Sequence, residues 1–393
     1  MKRGIQSIKN VYHLLRALLA NIFFGFPSRK LRVIGVTGTD GKTTTTHLIY
    51  HILCSSGKKV SMISTIFAKI GEKEYDTGFH VTTPDAILIP KYLKMAADQG
   101  QAYFVLETTS HRLDQNQLAG TQFDMAVITN ITHEHLDYHK TINEYARTKM
   151  KLIQMAKIGI VNVDDKVTKE FIASHEMRSV IKTYGLKRKA DYSHDFRREI
   201  PDLADFNAYN YLAAYAVCRE LGVSDQDIRK ACATFRLPAG RIDIVYKKDF
   251  MVIVDFAHTP NAITLILETV RKQYLRSPGR LIHVFGSAGL RDQSKRFSMG
   301  KASATYANIS YITEEDYRTE DPQKIADEIG AGFGKKHYFI ELDREIAIQK
   351  AISSAKPNDV VIITGKGHEK SLCRGKTEHP WDDVLITKKI LKL

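Results

Sequence analysis

The stretch VIGVTGTDGKTTTTHLI, residues 33–49, decides the fold of this chain. Its apolar, β-branched start predicts a buried strand, and apolar residues recur at helical spacing from Leu48 to Leu53. The glycine-rich turn GTDGKT joins the two. Glycines allow backbone amides to surround a phosphate, and the N-terminus of the following helix adds a positive dipole end. The stretch therefore predicts a P-loop that binds a nucleoside triphosphate.

Within this turn, the Lys42 ammonium is expected to reach the β- and γ-phosphates, and the Thr43 hydroxyl to bind Mg²⁺. The first glycine of the commonest P-loop motif is replaced by Val36. An ordinary strand, turn and helix without a phosphate is the alternative, which the intact GKT sequence disfavours. The predicted phosphate-binding residues are Gly38, Thr39, Asp40, Gly41, Lys42, Thr43 and Thr44.

Length and composition indicate a globular protein of two or three domains, since 393 residues carry 43% hydrophobic and 26% charged residues. The four cysteines are scattered without a C-x-x-C pair, which predicts neither a zinc ribbon nor a disulfide framework. This cysteine usage favours a reducing compartment, and we expect a cytoplasmic protein.

The formal net charge of +14 is unevenly distributed, because the first 39 residues contain seven Lys or Arg and no Asp or Glu. No aromatic and basic motif of an RNA-binding fold is present, so nucleic acid is not an expected partner. Anionic small substrates or a membrane surface explain the charge equally well.

Residues 1–30 are predicted to form an amphipathic helix, whose apolar residues from Val11 to Phe26 alternate in steps of three and one. The apolar segment is short for a membrane span and is interrupted by His13 and Arg16. It also lacks a signal-peptide cleavage site. Two placements remain open: packing on the next domain, or peripheral contact of residues 1–28 with anionic lipid or a partner.

Residues 31–236 are predicted to form a mostly parallel sheet covered by helices, because apolar runs alternate with helical segments. Polar residues stand where the runs end. Glu107 ends one run, and Asn130 and the sequence HEHLDYH (133–139) follow another. Ligands bind at the carboxyl ends of such strands, so these residues are expected beside the P-loop, where they would suit Mg²⁺.

Residues 237–393 are predicted to form a smaller, Rossmann-like α/β domain. Its apolar runs also end in polar or glycine-rich sequence, at Asp255, Gly286, Glu314 and Gly365.

The chain resembles the Mur ligases, the ATP-dependent amide-forming enzymes of peptidoglycan synthesis, and is most similar to their MurE type. The resemblance rests on motifs in family order over residues 31–393: GTDGKTTT (38–45), TTPD (82–85), ETTSHRLDQ (107–115), FDMAVITNITHEHLDYH (123–139), FNAYN (206–210), AGR (239–241), VDFAHTP (254–260), RDQSKR (291–296), SMGKAS (298–303), TEDP (319–322) and GKGHE (365–369).

The resemblance implies a reaction in which ATP phosphorylates a carboxylate and an amine attacks the acyl phosphate. It implies catalytic roles for Lys42, Glu107, His135 and Lys149, with Mg²⁺ held by Thr43, Glu107, His135 and a carbamylated Lys149. It further assigns the nucleotide to Asn207, Asn210, Arg241, Asp255 and His258, and the substrates to Thr82, Thr83, Ser110, His111, Arg291, Asp316, Arg318, Gly365 and Glu369.

Three features depart from the family pattern. About 30 residues precede the P-loop domain where the family carries a UDP-binding domain, so the acceptor is expected with UDP, with a lipid or with neither. The family's D-N-P-R selector of diaminopimelate reads EDYR (315–318), which keeps Arg318, whose guanidinium can bind the distal carboxylate of diaminopimelate. The two acids and the tyrosine beside it would equally attract an ammonium, which favours lysine or another diamine. Asp40 replaces the usual asparagine of the P-loop.

We therefore expect a ligase that adds one amino acid, meso-diaminopimelate or lysine, to a muramoyl-dipeptide-like acceptor in cell-wall synthesis. A folylpolyglutamate-like, poly-amino-acid or amidating ligase is one alternative. A membrane-docked ATP-binding module without ligase activity is another. The sequence leaves the oligomeric state open.

Overall fold

A computed structural model describes residues 2–76, 82–132, 134 and 136–393 of the chain. The described residues form two compact units. The first contains residues 2–76, 82–132 and 139–236, and the second contains Glu134, residues 136–138 and residues 237–393. All four cysteines have free thiols.

The first unit, in its described residues, contains an eight-stranded sheet of order β4-β3-β2-β5-β1-β6-β7-β8. Pairing is parallel from β2 to β8, and β3 and β4 form an antiparallel extension at one edge. The strands are β1 (Arg32–Thr37), β2 (Val60–Ile63), β3 (Ala68–Ile70), β4 (Lys73–Tyr75), β5 (Tyr103–Glu107), β6 (Phe123–Ile128), β7 (Ala156–Asn162) and β8 (Val180–Tyr184).

Helices cover both faces of this sheet, and each face has its own hydrophobic core. Strands buried on both faces are expected to be continuously apolar, as β1 is from Val33 to Val36. The helices up to residue 236 are α1 (Lys2–Phe23), α2 (Lys42–Ser55), α3 (Leu88–Asp98), α4 (Ser110–Asp114), α5 (Leu136–His139), α6 (Ile142–Met155), α7 (Lys166–Ser174), α8 (Asp205–Glu220) and α9 (Asp225–Thr234).

Helix α1 buries small and polar side chains and exposes large apolar ones. Ala17, Ala20 and Asn21 are at most 6% exposed, whereas most of the apolar residues from Val11 to Phe23 face outwards. Gly25, with φ of +71°, follows the helix, and a 3₁₀ turn spans Pro27–Lys30.

The second unit contains a six-stranded sheet of order β13-β12-β11-β14-β10-β9, parallel except for β9. A small antiparallel hairpin, β15–β16, lies outside it. The elements are β9 (Asp243–Lys247), β10 (Met251–Asp255), α10 (Pro260–Gln273), β11 (Leu281–Phe285), α11 (Arg296–Tyr306), β12 (Ile309–Ile312), α12 (Pro322–Gly330), β13 (Phe339–Ile340), α13 (Arg344–Ser353), β14 (Val360–Thr364), β15 (Ser371–Arg374), β16 (Thr377–Pro380) and α14 (Asp383–Leu391). The predicted α/β class with mostly parallel sheets is confirmed.

Candidate active site

The predicted P-loop joins β1 to α2, and two glycines make its backbone path achievable. Gly38 has φ of +148°, and a Cβ there would collide with the Thr129 hydroxyl. Gly41 has φ of +82°, and a Cβ there would collide with the side chain of Asn210. Non-glycine residues rarely adopt these angles, so both positions require glycine.

Residues after β6 hold the P-loop in place. The amide of Thr39 donates to the carbonyl of Asn130 at 2.8 Å, and the amide of Asp40 donates to the Asn130 side chain at 3.0 Å. The Thr129 hydroxyl donates in turn to the carbonyl of Asp40 at 2.7 Å. The loop is therefore pre-formed at the carboxyl edge of the sheet. Thr44, in the first turn of α2, is buried.

Lys42 bends back over this loop. Its Nζ donates to the carbonyl of Thr39 at 2.6 Å, so the ammonium lies beside the amides that open α2. A positive charge and a helix N-terminus converge there, which suits a polyphosphate.

Glu107, at the end of β5, lies next to Thr43. The carboxylate is fully buried, and Thr43 Oγ1 donates to Glu107 Oε1 at 3.0 Å. Thr65 fixes the same carboxylate, since its Oγ1 donates to Oε1 at 2.8 Å and its amide donates to Oε2 at 2.9 Å. These hydroxyl and carboxylate oxygens are the hard donors that Mg²⁺ prefers. The donor set fits one Mg²⁺.

Lys149, on α6, reaches the P-loop from the other side of β1. It is 1% exposed, and its Nζ donates to the carbonyl of Gly38 at 2.6 Å. The ammonium also lies 4.5 Å from the centroid of the Tyr145 ring. The structure thus brings Lys149 and Lys42 to the same loop.

His135 lies outside the described residues, as does His133. Among the residues that are described, no group of three or more His, Cys, Asp or Glu side chains forms a cluster that could hold a metal. The metal donors that the described part brings together are Thr43 and Glu107.

Asn207 and Asn210 lie on one face of α8, and both are buried. The side-chain nitrogen of Asn210, Nδ2, donates to Asn207 Oδ1 at 2.9 Å, and the Asn210 side chain lies next to Gly41 of the P-loop. The pair therefore lies next to the loop, within the first unit.

The four residues predicted near the acceptor divide into two pairs. Thr83 accepts from the amide of Thr109 at 3.0 Å and donates to the carbonyl of Glu107 at 3.0 Å, and Thr82 precedes it in the loop.

Ser110 begins α4, and the His111 ring lies 5.9 Å from that of His139. Burial lowers the pKa of His139 to about 4, helped by the neighbouring His111, so His139 is neutral at pH 7.

In the second unit, Asp255 and His258 follow β10. The Asp255 carboxylate accepts from the amides of Ile242 and Ala257, each at 2.8 Å. His258 Nε2 lies 3.3 Å from the carboxylate of Glu134. Burial alone would lower the pKa of His258, but the hydrogen bond with Glu134 raises it. This favours the imidazolium form.

Arg241, the third predicted nucleotide residue of this unit, lies on the ring of Phe256. Its guanidinium carbon is 4.6 Å from the ring centroid, and its Nη1 donates to the carbonyl of Gly240 at 3.0 Å. Arg291, predicted near the added amino acid, is exposed.

The remaining predicted substrate residues surround one buried lysine, Lys366. Its Nζ donates to Asp316 Oδ1 at 2.8 Å and lies 2.6 Å from Glu369 Oε2. Burial alone would lower the pKa of Lys366, but the carboxylates of Glu369 and Asp316 raise it. Gly365, with φ of +111°, passes close to the buried carboxylate of Glu315. Lys366 therefore neutralises charge that the sequence places at Asp316.

Arg318 lies beside this cluster. Its Nη1 donates to the carbonyls of Gly289 and Asp316, at 2.9 and 3.2 Å, which fixes the plane of the guanidinium. The Glu315 carboxylate is 6% exposed, and burial, with the neighbouring Asp316, raises its pKa.

Sequence reasoning missed two residues of these clusters, Thr65 and Lys366. Thr65 follows the carboxyl end of β2, so the rule that found Glu107 could also have found it. Lys366 is part of the GKGHE motif, but its pairing with Asp316, 50 positions away, has no local signal.

A pre-formed P-loop with a lysine, beside a hydroxyl and carboxylate pair, defines an enzyme that uses a nucleoside triphosphate. Family comparison is more specific. The Mur ligase middle domain matches residues 36–218, and the family described as Mur ligase, glutamate ligase domain matches residues 240–367. The chain belongs to the Mur ligase family, whose members are ATP-dependent, ADP-forming ligases.

Curated relatives support this membership over most of the chain. The protein named UDP-N-acetylmuramoyl-L-alanyl-D-glutamate–2,6-diaminopimelate ligase of Aquifex aeolicus is 40% identical over 392 aligned residues, which cover 95% of this chain and 80% of the relative. The ligase of the same name from Chlamydia felis is 37% identical, covering 93% of this chain and 79% of the relative.

Solved structures share the fold. A structure of a ligase with the same name has a TM-score of 0.59 at 30% identity, covering 92% of this chain and 78% of that one. A Mycobacterium tuberculosis folylpolyglutamate synthase, complexed with ADP and AMPPCP, has a TM-score of 0.72 at 17% identity, covering 90% and 92%. The second likeness concerns the fold alone.

Proposed function

We propose that this chain forms an amide bond between diaminopimelate and the free carboxylate of a muramoyl-dipeptide acceptor, with ATP as the energy source. The observation that carries the proposal is the Thr43–Glu107 pair beside the P-loop, with the buried Lys149 behind it. Eight relatives named as diaminopimelate ligases, 34–40% identical over 93–98% of this chain, support the substrate.

Thr43 and Glu107 would hold one Mg²⁺, and His135 a second. When bound, the ion neutralises charge between the phosphates of ATP and the acceptor carboxylate. Thr65 orients Glu107, because it donates two hydrogen bonds to the carboxylate. Such orienting partners tune metal affinity.

Lys42 is proposed to stabilise the negative charge that moves during phosphoryl transfer. An oxygen of the acceptor carboxylate attacks the γ-phosphorus, and the bond to the ADP oxygen breaks. The amine nitrogen of the amino acid then attacks the acyl carbon, phosphate leaves, and the nitrogen loses a proton. Two anions approach in the first step, so fixed positive charge lowers its barrier.

Lys149 is proposed to react with CO₂ to form a carbamate. The ammonium first loses one proton, and the nitrogen loses a second proton as it bonds to the carbon of CO₂. The modification would replace a buried cation with an anion suited to binding Mg²⁺. Its position supports this proposal, because the Nζ already reaches the loop that carries Lys42 and Thr43.

Nucleotide binding is proposed to use the P-loop residues 38–44 with Asn207 and Asn210, and Arg241, Asp255 and His258 from the second unit. Thr82, Thr83, Ser110 and His111 are proposed to contact the acceptor. The proposed domains span residues 1–30, 31–236 and 237–393, and the proposed location is the cytoplasm.

Diaminopimelate is favoured over lysine by the charges around Arg318. Its fixed guanidinium suits the distal carboxylate of diaminopimelate. Asp316, which could attract the side-chain ammonium of lysine, is already paired with Lys366. Arg291, Gly365 and Glu369 complete the proposed amino-acid site.

Phosphate release from ATP tests the proposal. Diaminopimelate, lysine and glutamate would each be offered with UDP-muramoyl-dipeptide, with the same dipeptide lacking UDP, and with a reduced folate. We expect release with diaminopimelate and a muramoyl acceptor, and the UDP-free arm shows whether UDP is recognised. Preference for lysine would overturn the assignment of Arg318, and release with only folate and glutamate would overturn the proposed function.

A further inference from the structure

We propose that the outward face of α1 is a docking surface for an anionic membrane. We call this surface the α1 apolar face, and its residues are Val11, Tyr12, Leu15, Leu18, Leu19, Ile22 and Phe23. The proposal concerns where the protein is held and is independent of the proposed reaction.

The rotation of α1 about its axis is fixed by contacts within the first unit. The side-chain nitrogen of Asn21, Nδ2, donates to the carbonyl of Ala119 at 3.0 Å, and the Arg16 guanidinium forms an ion pair with Asp85 at 2.9 Å. Ala17 is fully buried on the same side. These contacts hold the side of α1 that carries Arg16, Ala17 and Asn21 against the rest of the first unit, so the α1 apolar face points away from it.

The α1 apolar face is consequently exposed along its length. Val11, Leu15, Leu19 and Ile22 are 54–64% exposed, and Phe23 is 80% exposed. From residue 11 to residue 23 a helix rises about 18 Å. Isolated exposed apolar residues are common, but a continuous stripe of this length indicates an interaction surface.

Charge identifies the partner. The first 39 residues contain seven basic and no acidic residues, whereas the remaining 354 contain 51 Lys or Arg and 44 Asp or Glu (58 − 7 and 44 − 0). Exposed Lys9 precedes the α1 apolar face, and exposed Arg29 and Lys30 follow the helix. An apolar stripe with basic flanks suits anionic lipid headgroups. A second copy of the chain would bring equal positive charges together, which disfavours self-association.

The proposed contact is peripheral. Among the helices of the described residues, none combines the length and the hydropathy of a membrane-spanning segment. Helix α1 would lie in the plane of the interface, with Tyr12 and Phe23 at the headgroup level, where aromatic rings are favoured.

Vesicle sedimentation of the full chain tests the proposal. Neutral vesicles contain phosphatidylcholine alone, and anionic vesicles contain about one-third phosphatidylglycerol in addition. We expect binding to the anionic vesicles at least about tenfold tighter than to the neutral ones, and weaker binding as salt is added. The double variant Leu15→Ser with Leu19→Ser should lose at least about tenfold in vesicle binding. The matched control is Leu290→Ser with Leu385→Ser, two equally exposed leucines of the second unit.

The charge arm uses Lys9→Gln with Lys30→Gln, against the exposed control pair Lys301→Gln with Lys388→Gln. We expect only the first pair to weaken binding to anionic vesicles. Sedimentation velocity without lipid, on the same proteins, measures self-association. No binding to anionic vesicles, or equal binding by the Leu15 and Leu19 variant, would overturn the proposal. Dimerisation abolished by that variant would assign the surface to a second copy instead.

Discussion

Thr43 Oγ1 donates a 3.0 Å hydrogen bond to Glu107 Oε1, joining the first turn of α2 to the end of β5. The two residues are 64 positions apart, and parallel pairing of β1 with β5 brings them together. The carboxylate is fully buried. The pair lies beside the P-loop and offers a hydroxyl and a carboxylate oxygen, which are ligands that Mg²⁺ prefers. Metal binding is therefore tested first at this pair.

Glu107→Gln should raise the Mg²⁺ concentration needed for half-maximal turnover by at least about tenfold, because an amide is a weaker ligand than a carboxylate. The isosteric change retains the side-chain volume, so thermal unfolding should move little. Turnover titrated with Mg²⁺ measures the effect. Glu170→Gln, on an exposed part of α7, is the control, and an unchanged Mg²⁺ dependence in Glu107→Gln would exclude Glu107 as a ligand.

Lys149→Ala should abolish turnover, because it removes the amine on which the proposed carbamate forms. A small carboxylate such as formate should partly restore activity by replacing the carbamate in the space left by the side chain. Steady-state phosphate release measures both effects. Lys151→Ala, two residues along α6, should retain activity. Wild-type turnover of Lys149→Ala would contradict the role of Lys149. Loss of turnover that no carboxylate restores would contradict the carbamate, because Lys149 would then act without it.

Lys366→Met should destabilise the second unit by about 3–5 kcal/mol, because it removes the ammonium that pairs with the buried carboxylate of Asp316 and the partly buried carboxylate of Glu369. The double variant with Asp316→Asn should be less unstable than Lys366→Met alone, since one uncompensated charge is gone. Urea unfolding measures the free energies. Lys350→Met, at a largely exposed pair with Glu341, should cost at most about 1 kcal/mol. Additive effects of the two buried changes would show that the pair is not coupled.

His283 should make stability depend on pH. It is fully buried between the hydroxyls of Ser303 and Thr364, and burial lowers its pKa to about 3. The unfolded chain binds a proton near pH 6.5 and the folded chain does not. The stabilisation from neutral His283 is therefore complete above about pH 6.5 and is lost as the pH falls towards 3.

His283→Gln keeps two hydrogen-bonding groups but cannot titrate, so it isolates this effect. The free energy of unfolding of the wild type, relative to His283→Gln, should fall by about 2 kcal/mol between pH 7 and pH 5. Urea unfolding at both pH values measures it. A constant difference between the two proteins would mean that His283 is protonated equally in both states.

The sequence predicted the fold and the first unit's central cluster more completely than the second unit's. The β1, P-loop and α2 pattern is local, and Glu107 follows a buried strand, so strand-end placement locates it. The environment of Asp316 was not predictable, because Lys366 lies 50 positions away and neutralises a charge that looked available for an ammonium. The outward apolar face of α1 was also hidden, since periodicity identifies a stripe but not the side from which the helix is held.

Isotope transfer tests the central claim most directly. UDP-muramoyl-dipeptide with both oxygens of its free carboxylate labelled with ¹⁸O would be incubated with ATP, Mg²⁺ and diaminopimelate. If the carboxylate attacks the γ-phosphorus, each phosphate released carries one ¹⁸O, and the product gains one diaminopimelate through an amide bond. Release of unlabelled phosphate, or hydrolysis of ATP without this product, would contradict the account.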